Sequence, residues 1–101
     1  MAMRVHVSSP SAAIKQQILA YAEYRLFAVL ARYANVRGAR AILEEADEGV
    51  QCSITIDFES TASARARVKG PHAAGTIDRA AERVVQLMRR RFQPEIVAAS
   101  T

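Results

Sequence analysis

Three consecutive alternating segments joined by short polar turns restrict the fold of this chain more than any other feature. Residues 50–58 carry the clearest one, with Cys52, Ile54, Ile56 and Phe58 on one side and Gln51, Ser53, Thr55 and Asp57 on the other. A period of two makes a strand with one apolar face and one wet face. Residues 37–46 set Ala39, Ala41 and Leu43 against Arg40, Ile42 and Glu44, and residues 62–69 set Ala62, Ala64, Ala66 and Val68 against Ser63, Arg65, Arg67 and Lys69. The links, Asp47-Glu48-Gly49 and Glu59-Ser60-Thr61, are so short that these strands pair as an antiparallel meander. Gly49 stands where a tight turn wants a positive φ.

A fourth short strand precedes them. Met3, Val5 and Val7 alternate with Arg4, His6 and Ser8 before Ser9-Pro10-Ser11 breaks the pattern. Residues 11–34 then read as a long helix, with Ser9 or Ser11 available as its cap. Its inward stripe is Ile14, Ile18, Ala22, Leu26, Val29 or Leu30, and Tyr33. Tyr21, Tyr24, Phe27, Ala28 and Ala31 add apolar area outside that stripe, which implies deeper burial or a partner. Asn35 and Gly38 bracket the exit from this helix. After the turn signal Gly70-Pro71, Ile77, Ala81, Val84, Met88 and Phe92 recur at helical spacing, opposite Arg79, Arg83, Gln86 and Arg90. Arg89, Arg90 and Arg91 then suit the negative end of the helix dipole.

The order is β-α-β-β-β-α. Each strand has one apolar face, so both helices cover the same side of a four-stranded sheet, giving a two-layer α+β sandwich. The 101 residues suit one domain, expected over 1–92, with a short flexible tail at 93–101. Only 6% of residues are aromatic, so the core must be largely aliphatic and alanine. A single cysteine, Cys52, excludes an internal disulfide and fits a reducing, cytoplasmic setting. No apolar run is long enough to span a membrane, and the N-terminus lacks the apolar core of a secretion signal.

Charge is unevenly placed. The net formal charge is +4, and Arg65 to Arg91 holds eight basic residues against two acids, Asp78 and Glu82. Twelve of the 14 basic residues are arginine, which suits bidentate phosphate contacts. Arg79, Arg83 and Arg90 lie on one helical stripe that a phosphate backbone can follow. The plainer reading is a solvated face with Glu82 pairing locally. Arg65, Arg67 and Lys69 lie together on the wet face of the last strand, where cross-strand pairing with Asp57 and Glu44 is the plainer reading. Nothing points to catalysis or a cofactor: His6 and His72 are far apart, and Cys52 faces inward like an ordinary buried thiol. No metal-ligand spacing or phosphate-binding glycine loop is present, and Glu44, Glu45, Asp47 and Glu48 read as a solvated hairpin edge.

The stretch SARARVKGPHAAGTIDRAAERVVQLMRRRF resembles the ribosome hibernation-promoting factor and ribosome-associated translation inhibitor family, also called the sigma-54 modulation protein family. Gly70, Ala74, Ile77 and Asp78 match an alternating strand, a glycine and an "A-x-x-x-I-D" helix start. Val84 and Met88 fill the apolar slots that follow, and Arg83 and Arg90 take slots that are often lysine. Leu30 and Tyr33 in VLARYANVRGARAILEE match the "K-L-x-x-Y" end of the first helix. The first helix departs from the lysine-rich pattern, with Val29 in a common lysine slot and only Lys15, Arg25 and Arg32 as its cations; Gln86 departs likewise in the second.

The resemblance covers roughly residues 3–92. It implies a fold similar to a double-stranded-RNA-binding domain, in a short form without a second domain. It implies a non-enzymatic stress or stationary-phase factor that binds small-subunit rRNA and inhibits translation by occluding the mRNA/tRNA channel. No cofactor, DNA or membrane partner is implied. The rRNA-contacting residues it implies are Lys69, Arg79, Arg83 and Arg90, then Arg65, Arg67, Arg89, Lys15, Arg25 and Arg32. The alternative is a protein-interaction or homodimer module that uses Tyr24, Phe27, Ala28 and Ala31.

Overall fold

The computed structural model describes the backbone of residues 3–100 and the side chains of residues 3–91. Six elements follow in order: β1 (Arg4–Ser8), α1 (Gln16–Leu30), β2 (Val36–Ala46), β3 (Gly49–Phe58), β4 (Ser63–Gly70) and α2 (Ala73–Ser100). The strands form one mixed sheet in the order β1-β2-β3-β4. β2, β3 and β4 make the expected meander, while β1 pairs parallel to β2, from Arg4 opposite Gly38 to Ser8 opposite Ile42. A parallel pair needs a crossover, and α1 supplies it. The register between β2 and β3 shifts between Val36 and Gly38.

Both helices pack on one sheet face, α1 over β1 and β2, α2 over β3 and β4, and they touch each other. The alternation read from sequence produces this core directly. Ala39, Ala41, Leu43, Cys52, Ile54, Ile56 and Phe58 are all buried, and cluster with Ala22, Leu26 and Leu30 from α1 and Ile77, Ala80, Val84 and Met88 from α2, while Ala81 is buried between the helices. Leu30, rather than Val29, is the fully buried residue at the end of the α1 stripe. Ile14, Ile18, Val29 and Tyr33 pack at the core's margin.

Several local expectations are corrected. α1 starts at Gln16, not at residue 11, and ends at Leu30, not at residue 34. Neither Ser9 nor Ser11 caps it; Lys15 is the N-cap, with no side-chain cap bond. The serines hold the preceding loop instead: Ser11 N–H donates to Ser9 Oγ at 3.1 Å, and Ala13 N–H donates to Ser11 Oγ at 3.2 Å. Ser11 O–H also donates to Glu45 Oε1 at 2.7 Å, tying this loop to β2. Short polar side chains that bond nearby backbone compete with helix initiation.

Gly49 has no positive φ. Its requirement is steric, because a Cβ there would collide with the Gly70 carbonyl oxygen across the sheet. β4 spans Ser63–Gly70 instead of 62–69. α2 continues past Phe92 to Ser100, so Arg89, Arg90 and Arg91 lie within the helix and not at its C-terminal end. The side chains of 92–100 lie outside the described residues, and with them the expected roles of Phe92 and of a tail at 93–101.

Candidate nucleic-acid interface

The cations singled out in the sequence do not converge on one point. The fold distributes them over three adjoining surfaces. The first is the outer stripe of α2. Its apolar positions are pulled into the core, which leaves Arg79, Arg83 and Arg90 exposed, with Gln86 between them. Arg79 reaches toward the end of β4, its Nη1 3.2 Å from where a Cβ on Gly70 would sit. The stripe therefore begins beside Lys69. Glu82 makes no ion pair among the described residues, so the local pairing that would neutralise this stripe is absent there.

The second surface is the open face of β4. Arg65 lies opposite Thr55, Arg67 opposite Ser53 and Lys69 opposite Gln51. All three cations are exposed. The expected pairing with Asp57 and Glu44 does not occur. Asp57 is taken by Arg40, whose Nη2 lies 3.4 Å from its carboxylate, and Glu44 lies across from Gln51 on the adjoining strand. β4 is an edge strand packed against α2, so the first two surfaces meet around one edge of the sandwich.

The third surface is the groove between the helices. Arg25, Arg32 and Arg89 line it together with Ala28, Val29, Tyr33, Ala81, Glu82 and Val85. Arg25 is already engaged there. Its Nε sits 3.2 Å from Asp78 Oδ1, off the alignment of a hydrogen bond. Tyr21 O–H donates to the same oxygen, and that bond to the carboxylate raises the phenol's pKa above its ordinary value of 10.0. Asp78 thus ties α1 to α2. Lys15 stands apart, exposed at the N-terminus of α1.

Three further arginines and a histidine are not singled out as phosphate contacts by the sequence pattern. Arg4, His6, Arg37 and Arg40 surround a cleft at the β1–β2 end of the open face. The alternation of β1 and β2 puts Arg4, His6 and Arg40 on the wet side, and that is the signal by which they can be found. Arg91 goes the other way: its guanidinium lies 4.3 Å over the Phe58 ring, a cation–π contact that draws it out of the free set. On α1, Tyr24 and Phe27 are 70% and 47% exposed, and Ala28 and Ala31 are exposed as well. Among the described residues no group of His, Cys, Asp and Glu is placed to hold a metal.

The arrangement defines a small α+β sandwich with exposed cations on α2, on β4, in the inter-helix groove and at the β1–β2 end of the open face, and with exposed aromatic residues on α1. No protein-family model matches the chain, and no curated protein matches it in sequence. Solved structures do match in fold. A ribosomal subunit interface protein from Coxiella burnetii superposes with a TM-score of 0.76 at 8% identity, over 87% of this chain and 96% of that one. The N-terminal domain of Thermus thermophilus Protein Y superposes with a TM-score of 0.70 at 22% identity, over 84% of this chain and 93% of that one. The likeness is one of fold, and it is the fold that the sequence resemblance implied.

Proposed function

We propose that the chain is a non-enzymatic ribosome-associated factor that binds small-subunit rRNA and blocks translation by occupying the channel used by mRNA and tRNA. The observation that carries this reading is the exposed stripe Arg79, Arg83 and Arg90, free of ion pairs among the described residues and contiguous with Lys69, Arg67 and Arg65 around the β4 edge. Six exposed cations that make no ion pair among the described residues form a surface suited to phosphate oxygens, which dominate affinity for a structured RNA. The fold shared with a protein described as a ribosomal subunit interface protein supports the ribosome as the partner. Arg89 and Arg32 extend the contact from the inter-helix groove, with Lys15 at its margin. Arg25 contributes mainly by holding α1 against α2. A cytoplasmic location and a role in stress or stationary-phase hibernation follow from this reading.

The mechanism is occlusion. A rigid body of this size, held by charge, excludes mRNA and tRNA from the surface it covers. Chemical footprinting on purified small subunits tests it. Protection is expected on rRNA lining the mRNA channel, and preloaded mRNA is expected to abolish it. Protection confined to the outer surface of the subunit, unaffected by mRNA, would overturn the occlusion reading.

A further inference from the structure

The pairing of β2 with β3 holds one irregularity. Val36 lies opposite Phe58 and Gly38 opposite Asp57, so Arg37 is an extra residue in β2, a β-bulge. The bulge changes the phase of the strand. Val36 and Ala39 are both buried, which a regular period of two does not allow for positions three apart. A regular strand that buried Ala39 would also turn Arg37 inward. The bulge leaves Arg37 exposed instead, on the cleft that Arg4, His6 and Arg40 also line. Bulges recur beside functional sites because they re-aim a side chain in this way. Next to Arg37 the cleft wall is Gly38, where a Cβ would collide with the Arg4 carbonyl oxygen, so this position carries backbone alone.

The cleft has a volume of about 740 Å³, a size suited to a small molecule. Its charged lining is mixed: the three arginines and His6 share it with Asp57 and Glu59. Arg40 is paired with Asp57 at 3.4 Å, whereas Arg4 and Arg37 make no ion pair among the described residues. Guanidinium forks match the oxygens of a phosphate. The carboxylates would repel a bare anion, but they accept hydrogen bonds from hydroxyl and amino groups. Met3 and Ala34 add an apolar stretch of wall. We infer that this cleft binds a free nucleoside monophosphate, with its phosphate on Arg4 and Arg37 and its ribose hydroxyls or base amino group toward Asp57 and Glu59. Simpler ligands answer only part of the lining. Inorganic phosphate leaves the carboxylates without a donor, and an uncharged nucleoside leaves the two arginines without an anion. No residue of β4 or α2 lines the cleft, and none of its cations belongs to the set assigned to rRNA, so the inference is independent of the ribosomal reading.

Amide chemical-shift titration of the whole chain tests it, with AMP, GMP, CMP, UMP, inorganic phosphate and adenosine as separate probes. At least one monophosphate is expected to give saturable shifts at residues 4–6, 37–40 and 57–59. Arg4→Gln and Arg37→Gln should each weaken that binding about tenfold. Both side chains are exposed, so circular dichroism should show an unchanged fold. Inorganic phosphate and adenosine should each bind about tenfold more weakly than the nucleotide, or worse. The absence of saturable shifts with any monophosphate up to millimolar concentration overturns the inference. So does binding that neither substitution weakens, or inorganic phosphate that binds as well as the nucleotides. A cleft that responds only to a short oligoribonucleotide also overturns it and makes the cleft part of an RNA surface.

Discussion

Two side chains show how position sets chemistry here. Cys52 points from the middle of β3 into the core and is 1% exposed, and burial pushes its thiol from 9.0 up to about 11. The thiolate is the reactive form, so the folded protein should resist thiol reagents near pH 8 and be labelled only on unfolding in urea. The same shift makes an alkaline prediction. A pKa raised by folding contributes stability that is complete below pH 9 and is lost as pH rises toward 11. Cys52→Ala should remove that part of the alkaline decline, on the order of 2 kcal/mol, as read from urea midpoints at pH 8 and pH 11. Tyr21 acts with the same sign, since its bond to Asp78 raises the phenol above 10.0. Asp78→Asn should move the Tyr21 titration down toward its ordinary value, followed by tyrosinate absorbance. The Asp78 contact is illegible in sequence. A carboxylate in a helix that pairs with a residue 57 positions away leaves no local periodicity to read.

At the scale of elements, what is legible follows from burial on one face. Cys52, Ile54, Ile56 and Phe58 announce β3 because a period of two has no other use, and all four are buried. The start of α1 is not legible in the same way, because serine oxygens serve caps and loop turns equally well, and here Ser11 bonds Glu45 instead. Glycines separate the two kinds of information further. A Cβ at Gly49 collides with backbone of β4, whereas one at Gly75 meets nothing within 4 Å. Gly49→Ala should therefore destabilise the protein by roughly 1–3 kcal/mol by forcing β3 and β4 apart. Gly75→Ala, in the exposed first turns of α2, should stabilise it by about 0.5–1 kcal/mol. Thermal unfolding of the two variants side by side checks both, and equal effects would contradict the packing described.

On the scale of the whole molecule, the architecture is legible because its β-α-β-β-β-α order with one-sided strands leaves few solutions. The distribution of charge is only partly so. Helical spacing alone puts Arg79, Arg83 and Arg90 on one stripe. It does not reveal that Arg79 meets the end of β4, that Asp57 is held by Arg40, or that Arg91 stacks on Phe58. Those facts depend on contacts between distant segments, and they decide which cations remain free.

The central claim is that the free cations of the β4 edge and α2 bind rRNA phosphates. The most direct measurement is the affinity for purified small ribosomal subunits across a salt series, for the natural chain and for Arg79→Ala/Arg83→Ala/Arg90→Ala. Removing one arginine from a phosphate should lower the steepness of log K against log salt by about 1. The account predicts a steep slope for the natural chain and one shallower by about 2–3 for the variant, with circular dichroism unchanged. No binding at low salt, or a slope that the three substitutions leave untouched, would contradict it.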